Sequence, residues 1–213
     1  MNAKRNYQKE LDRLIAGLNG RRPSLLLHAC CAPCSSYVLE YLSRYFQITL
    51  FFYNPNIAPE SEYQYRVSEL RRLVTEMLPD AGITVLEGPY DPERFAQAVR
   101  GLEGVPEGGA RCRVCFRLRL EEAAKMAREL GCDYFTTTLS ISPMKDAAAL
   151  NGIGEELAPI YQTPWLPSDF KKREGYKRSI QLSAEYQLYR QDYCGCIYSK
   201  LEREAQKQRK GVN

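Results

Sequence analysis

Residues 24–36 read Ser-Leu-Leu-Leu-His-Ala-Cys-Cys-Ala-Pro-Cys-Ser-Ser, and the rest of the chain is best read outward from them. Ser24 to Ala29 is a short apolar run after the breaker Arg21-Arg22-Pro23, which predicts a buried strand. Cys30, Cys31 and Cys34 follow at once, and Val38, Leu39, Leu42 and Phe46 then recur at helical spacing. Strand, loop and helix in that order open an α/β domain.

The alternation continues. Ile48 to Tyr53 predicts a second strand, ended by Asn54-Pro55-Asn56. Glu60 to Leu78 predicts a long charged helix with a Val67, Leu70, Val74 stripe. Ile83 to Leu86 predicts a third strand, and Asp91-Pro92-Glu93 starts a further helix. A glycine-rich loop, Gly101 to Gly109, delivers Arg111-Cys112-Arg113-Val114-Cys115 to a helix reaching Leu130. The β-branched and aromatic run Asp133 to Ile141 predicts a fourth strand, broken by Ser142-Pro143, and Lys145 to Leu157 predicts a helix. A final helix pair flanks Tyr193-Cys194-Gly195-Cys196. Upstream, residues 4–18 predict an amphipathic helix through Leu11, Leu14, Ile15 and Leu18. The expectation is one α/β domain over 1–213, with a mainly parallel sheet covered by helices on both faces and a helical C-terminal part. Residues 1–22 form an N-terminal helical extension and 200–213 a tail. Ligands of such sheets sit beyond the carboxyl ends of the strands. That rule gathers Cys30, Cys31, Cys34, Asn54 and the segment Ser140 to Lys145 at one edge.

A composition of 44% hydrophobic and 26% charged residues is that of a soluble domain. The apolar runs are too short to cross a bilayer, and the N-terminus lacks the pattern of a secretory signal, so a cytoplasmic location without membrane attachment is expected. The formal charge of +4 permits a nucleic-acid partner without demanding one.

Eight cysteines in a reducing compartment argue against a disulfide framework and for metal binding or redox chemistry. Seven fall in three groups: Cys30/Cys31/Cys34, Cys112/Cys115 and Cys194/Cys196. Thiolates suit zinc, copper(I) or iron–sulfur clusters. A closed zinc site needs four ligands. Seven thiols can serve a four-cysteine cluster and leave others for a second metal or a redox pair. Cys194-Gly195-Cys196 suits the latter, because glycine lets near-adjacent thiols turn toward each other. Cys132, alone, reads as a small buried hydrophobe. His28, the only histidine, is either a core residue or part of the site beginning two residues later. Asp169 reads as a metal ligand, an acid or a helix N-cap. Lys171, Lys172, Arg173, Lys177 and Arg178 surround Tyr176. They form either a phosphate-binding RNA surface, with aromatics to stack on bases, or a solvated face. Lys200 to Lys210 alternates acids and bases and reads as an exposed helix face.

Six segments together carry a resemblance. His28-Ala29-Cys30-Cys31-Ala32-Pro33-Cys34, Tyr53-Asn54-Pro55-Asn56-Ile57, Arg111-Cys112 to Cys115-Phe116, Phe135-Thr136-Thr137-Thr138-Leu139, Ser142-Pro143-Met144-Lys145 and Tyr189 to Cys196 resemble the QueH-type epoxyqueuosine reductases in order and content. The likeness covers residues 23–199. It implies a fold similar to PP-loop nucleotide-binding α/β domains and a cobalamin-independent reduction of epoxyqueuosine, at the wobble position of tRNA, to queuosine. It further implies a 4Fe–4S cluster with an additional iron or other metal ion nearby. Cys30, Cys31, Cys112 and Cys115 are then the expected cluster ligands, Cys34 a second-metal ligand, and Cys194 and Cys196 a redox pair. Asp169 or Tyr193 is the expected proton donor. The expected partners are tRNA carrying epoxyqueuosine and an external electron donor, with the chain a monomer. Two other classes compete. An ATP-dependent PP-loop tRNA-modifying enzyme needs a glycine-rich phosphate cradle, where this chain has cysteines. A zinc-containing RNA-binding module leaves the excess thiols unexplained.

Overall fold

The computed structural model describes residues 5–210. Its frame is a four-stranded, all-parallel sheet in the order β3-β2-β1-β4, built from β1 (Ser24–Ala29), β2 (Gln47–Phe52), β3 (Thr84–Glu87) and β4 (Tyr134–Thr137). Leu25 of β1 pairs with Ile48 of β2 on one side and Tyr134 of β4 on the other. A central parallel strand is covered on both faces, so its sequence carries no polar alternation. Leu25, Leu26, Leu27, His28 and Ala29 are accordingly all fully buried.

Among the described residues, eight helices join and cover the strands: α1 (Tyr7–Ala16), α2 (Ala32–Leu42), α3 (Glu60–Met77), α4 (Pro92–Ala98), α5 (Ala110–Glu129), α6 (Ala147–Tyr161), α7 (Gly175–Glu185) and α8 (Ile197–Lys210). On one face Leu11, Val38, Leu42 and Leu70 of α1–α3 pack on Leu25, Leu27, Leu50 and Phe52. On the other, Phe116, Leu120, Ala124, Leu150 and Leu157 of α5 and α6 pack on Leu26, Phe51 and Phe135. α7 rests on α2, and Gly175 permits the approach, since a Cβ there would run into the Tyr37 ring and the Phe170 carbonyl. The layered α/β class and the parallel sheet match the expectation.

Several boundaries differ from it. The fourth strand stops at Thr137, because the Thr137 hydroxyl accepts the Leu139 N–H at 3.1 Å and turns Thr138–Ile141 into a 3₁₀ turn. The β-branched composition there reflects burial of Thr136 to Ser140 rather than extension. α6 starts at Ala147, not Lys145, because Asp146 caps it by accepting from Ala148 and Ala149. α1 starts after its cap Asn6, and position 4 of the expected helix lies outside the described residues. Of the expected 200–213 tail, residues up to 210 belong to α8, and the rest lies outside the described residues.

Candidate metal centre

The turn that ends β1 presents Cys30. Cys31 occupies the cap position of α2 in extended backbone, and Cys34 lies in that helix's first turn. Cys112 and Cys115 stand in the first two turns of α5. Cys196 immediately precedes α8, and the Ser199 backbone N–H donates to its Sγ at 3.4 Å. Three helix N-termini therefore deliver the clustered thiols to the carboxyl edge of the sheet. Each carries unpaired N–H groups and partial positive charge that favour thiolates and other anions.

The thiols form two sets. The Sγ atoms of Cys30, Cys31 and Cys34 lie within 4.8 Å of one another, the only group of three or more such donors this close among the described residues. Cys30 and Cys31 are 3.8 Å apart at sulfur. A tetrahedral ion with bonds of about 2.3 Å holds its sulfurs about 3.8 Å apart, so this trio is spaced for a single ion. Cys112, Cys115, Cys194 and Cys196 line an inner pocket with Phe95 and Phe116 and form a more open quartet. Cys194 also lines the main cleft, of about 390 Å³, together with the trio. The structure thus joins Cys194 and Cys196 to Cys112 and Cys115, and Cys34 to Cys30 and Cys31. This differs from the partition that the family likeness implies.

Four buried cations surround these thiols: Arg66, Arg111, Arg119 and Lys145. Arg66 pairs with Glu62, Arg111 with Glu202 and Lys145 with Glu107, at 2.7, 2.7 and 2.8 Å. Lys145 Nζ also donates to Cys194 Sγ at 3.2 Å. Within the trio, thiol hydrogen bonds from Cys30 and Cys34 hold Cys31 well below the usual thiol range, and Arg66 adds to the effect. The cost falls on the donors: Cys30 is pushed up to about 12, first through its bond to Cys31, and Cys34 is also raised through its bonds to both neighbours. Within the metal-free trio, Cys31 is therefore the thiol that ionises most readily. In the quartet, burial raises Cys112 and pushes Cys115 up to about 12.

Gly195 makes the quartet's closing segment possible. Its φ of +121° lies where side chains are strained, and a Cβ would sit 2.9 Å from Arg66 Nη1. Tyr193 lines the cleft with its ring 5.4 Å from the Arg66 guanidinium carbon. Asp169 is buried but lies outside the cleft lining. It pairs with Lys171 at 2.6 Å, and Glu174 stands at the N-terminal boundary of α7 without a side-chain cap bond, so the N-cap reading of Asp169 is corrected. Arg173, Lys177 and Arg178 are likewise paired, with Asp12, Glu174 and Glu40. None of the five basic residues 171–173 and 177–178 lines the cleft, whereas Tyr176 and Ser179 do. His28 is a core residue. Its Nε2–H donates to the Tyr53 carbonyl at 3.0 Å, Nδ1 accepts from Thr137 at 2.8 Å, and burial pulls it down to about 3, so it stays neutral.

Sequence reading placed Lys145 at this edge through the segment Ser140 to Lys145 but missed Arg66 and Arg119 as parts of the site. It also missed that α8 is a wall: Ser199, Glu202, Arg203 and Gln206 line the cleft from one helical face, so the tail is not merely exposed. A signal existed for Arg119. Cys112, Cys115, Phe116 and Arg119 recur at i, i+3, i+4 and i+7, one face of α5.

A parallel α/β fold whose carboxyl edge gathers seven thiols beside an open cleft defines an α/β protein with a cysteine-built candidate metal centre. The chain belongs to the QueH family of epoxyqueuosine reductases, a family of oxidoreductases, whose pattern, described as "Epoxyqueuosine reductase QueH", matches residues 25–202. It is 46% identical over 202 residues to the epoxyqueuosine reductase QueH of Streptococcus pyogenes serotype M1, covering 93% of this chain and 79% of that one. It is 44% identical to the one from Staphylococcus epidermidis, over 94% and 87% of the two chains. It is 36% identical to that of Thermotoga maritima, over 84% and 92%. Among the described residues, no helix is long and apolar enough to cross a membrane.

Proposed function

We propose that this chain reduces the epoxide of epoxyqueuosine in tRNA to the alkene of queuosine, with an iron–sulfur cluster and a further metal ion held by its cysteines. The observation that carries this reading is the convergence of seven thiols, from three separate segments, on an open cleft of about 390 Å³ lined by Cys30, Cys31, Cys34 and Cys194 and on the inner pocket of Cys112, Cys115 and Cys196 that shares Cys194 with it. That volume suits a small polar molecule or a splayed nucleoside. The relatives named as epoxyqueuosine reductases supply the substrate.

The residues present fit such a centre. Cys112, Cys115, Cys194 and Cys196 make a complete four-cysteine set and would hold the cluster. Cys30, Cys31 and Cys34 are spaced for a single ion and would hold the second metal. The Nη2 atom of buried Arg119 has no hydrogen-bond partner among the described residues, as expected where an anion is to sit. A bound centre of this kind supplies electrons and Lewis acidity toward oxygen.

Conversion of the epoxide to an alkene takes up two electrons and two protons and releases water, so the electrons come from an external donor. The chain's own residues supply orientation and protons. Burial raises the Tyr193 phenol, which therefore keeps its Oη proton at neutral pH within reach of the cleft. Arg190 and Arg203 stand on the cleft rim, where cations attract phosphate, and half-exposed Tyr176 offers a ring for a splayed base. Such a substrate places the enzyme in the cytoplasm.

The test is anaerobic reconstitution with iron and sulfide, followed by incubation with epoxyqueuosine-bearing tRNA and a chemical reductant. The expected result is a brown protein and a digested nucleoside lighter by one oxygen. A colourless protein carrying only zinc, or an iron-loaded protein that leaves the nucleoside unchanged, would overturn the reading.

A further inference from the structure

Of the four buried cations around the thiols, three have a carboxylate partner and Arg119 has none among the described residues. Arginine stays protonated at every accessible pH. A buried charge without a partner is strongly disfavoured, so something negative must answer it.

The side chain is held firmly while its charge remains free. Arg119 Nε donates to the Cys115 carbonyl at 3.2 Å, one helical turn back. Nη1 donates to Asn54 Oδ1 at 3.3 Å, and Asn54 is anchored in turn by its own donation to the Ala29 carbonyl at 2.8 Å. Both acceptors are neutral. Nη2 is buried and unpartnered. The guanidinium lines both the inner pocket of the quartet and the cleft of the trio, so it stands between the two thiol sets. Its stem leaves α5 on the face that carries Cys112 and Cys115. An anion at the thiols is what the geometry leaves for Nη2 to meet.

We infer that Arg119 is a positioning residue whose fixed positive charge offsets the negative charge of the metal–thiolate centre and raises its reduction potential. This rests on the reading that the thiols hold an iron–sulfur centre. Four thiolates and the sulfides of a cluster outweigh its iron charge, and reduction adds one more electron. A buried cation beside them stabilises the reduced state more than the oxidised one, so its removal lowers the potential. Hydrogen bonds and net charge near the sulfurs are recognised means of setting cluster potentials.

The experiment compares wild type with Arg119→Lys, Arg119→Met, Asn54→Asp and Asn54→Ala, all reconstituted anaerobically. It measures iron and sulfide per chain and the midpoint potential, by mediated titration followed by electron paramagnetic resonance. Arg119→Met should lower the equilibrium constant for one-electron reduction by about tenfold or more, which is about 59 mV. Arg119→Lys keeps the charge and should restore most of that loss. Asn54→Asp leaves the guanidinium in place but sets a carboxylate against it. It should shift the potential down or weaken iron loading, whereas Asn54→Ala, which adds no charge, should do so less. If Arg119→Met does not fold, the two Asn54 variants decide the matter. Equal behaviour of Asn54→Asp and Asn54→Ala overturns the inference, as does an iron-loaded Arg119→Met with the wild-type potential. A wild-type chain that takes up no iron overturns the metal-centre reading first, and this inference with it.

Discussion

Cys30, Cys31 and Cys34 are brought together by one strand end and one helix start, all within a single turn of chain. Cys112 and Cys115 meet Cys194 and Cys196 only because α5 and the segment before α8 pack against each other across the chain. The trio is a local structure and inherits its spacing from backbone geometry. The quartet is a tertiary structure and lasts only as long as its supports: the Gly195 turn, the Arg111–Glu202 pair and the small apolar cluster of Phe95, Val99, Cys115 and Cys196. The two halves of the site should therefore fail separately.

Single replacements should break the comparison most sharply. Cys194→Ala or Cys115→Ala should remove the cluster's iron and sulfide and take turnover below detection. Cys31→Ala should also end turnover while leaving the visible spectrum of the cluster. If Cys31→Ala bleaches the protein as fully as Cys115→Ala, the two sets are one.

A second perturbation spares every ligand. Gly195→Val forces a branched side chain into a left-handed conformation beside Arg66. The strain is roughly 1–3 kcal/mol, and loss of ligand positioning should cost roughly 10–100-fold in iron affinity at the quartet. The trio should still take up one cobalt(II) per chain, read from its thiolate absorption. Loss of cobalt uptake would show that the trio also depends on the quartet's supports.

Protonation separates the sets in the metal-free chain. Hydrogen bonds from Cys30 and Cys34 hold Cys31 well below the ordinary thiol range, whereas burial pushes Cys115 up to about 12. Mapped alkylation near pH 7 should label Cys31 well before Cys115. Both sets should lose metal as pH falls, because the raised thiols must give up protons to bind it. Equal labelling rates would remove this contrast between the two sets.

His28 gives a smaller effect, on stability alone. Its folded value, about 3, lies below the ordinary 6.5, so the unfolded chain binds the extra proton between those limits. The stabilising contribution of the neutral ring is fully present above pH 6.5 and declines by roughly 1.4 kcal/mol per unit as pH falls toward 3. Denaturant midpoints of metal-free protein should follow that decline, and His28→Gln should flatten it. The smallest change is expected at the surface. Lys171→Ala with Lys172→Ala should alter the salt dependence of tRNA binding less than Arg190→Ala with Arg203→Ala, since the second pair faces the cleft. The reverse order would move the RNA surface onto the turn before α7.

The fold was legible because continuous apolar runs alternate along the chain with stretches of helical periodicity. The apolar run at 24–29 can only be a covered strand, and the edge that collects Cys30, Asn54 and Ser140 follows from parallel topology. What escaped was distance in three dimensions. Residues 112 and 196 are joined by no pattern in the chain, so their common pocket is visible only in the packing. Thr138 to Ile141 looked like strand because β-branched residues record burial as well as extension. Arg119 was hidden in a charged helix, where a buried arginine has the same letter as an exposed one. α8 was misjudged for a similar reason, since a polar face can line a cleft as well as meet solvent.

The quartet's reach across the chain has a consequence for the unfolded state. A metal gripped by Cys115 and Cys194 ties off a loop of about eighty residues. In the chain-entropy description, a cross-link of that span removes freedom from the denatured ensemble worth about 4.5 kcal/mol. One ion on Cys30, Cys31 and Cys34 ties a ring of a few residues that β1 and α2 already hold and leaves that ensemble almost unchanged. The same element would thus act as a fastener for the C-terminal half of the molecule at one address and only as a reagent at the other.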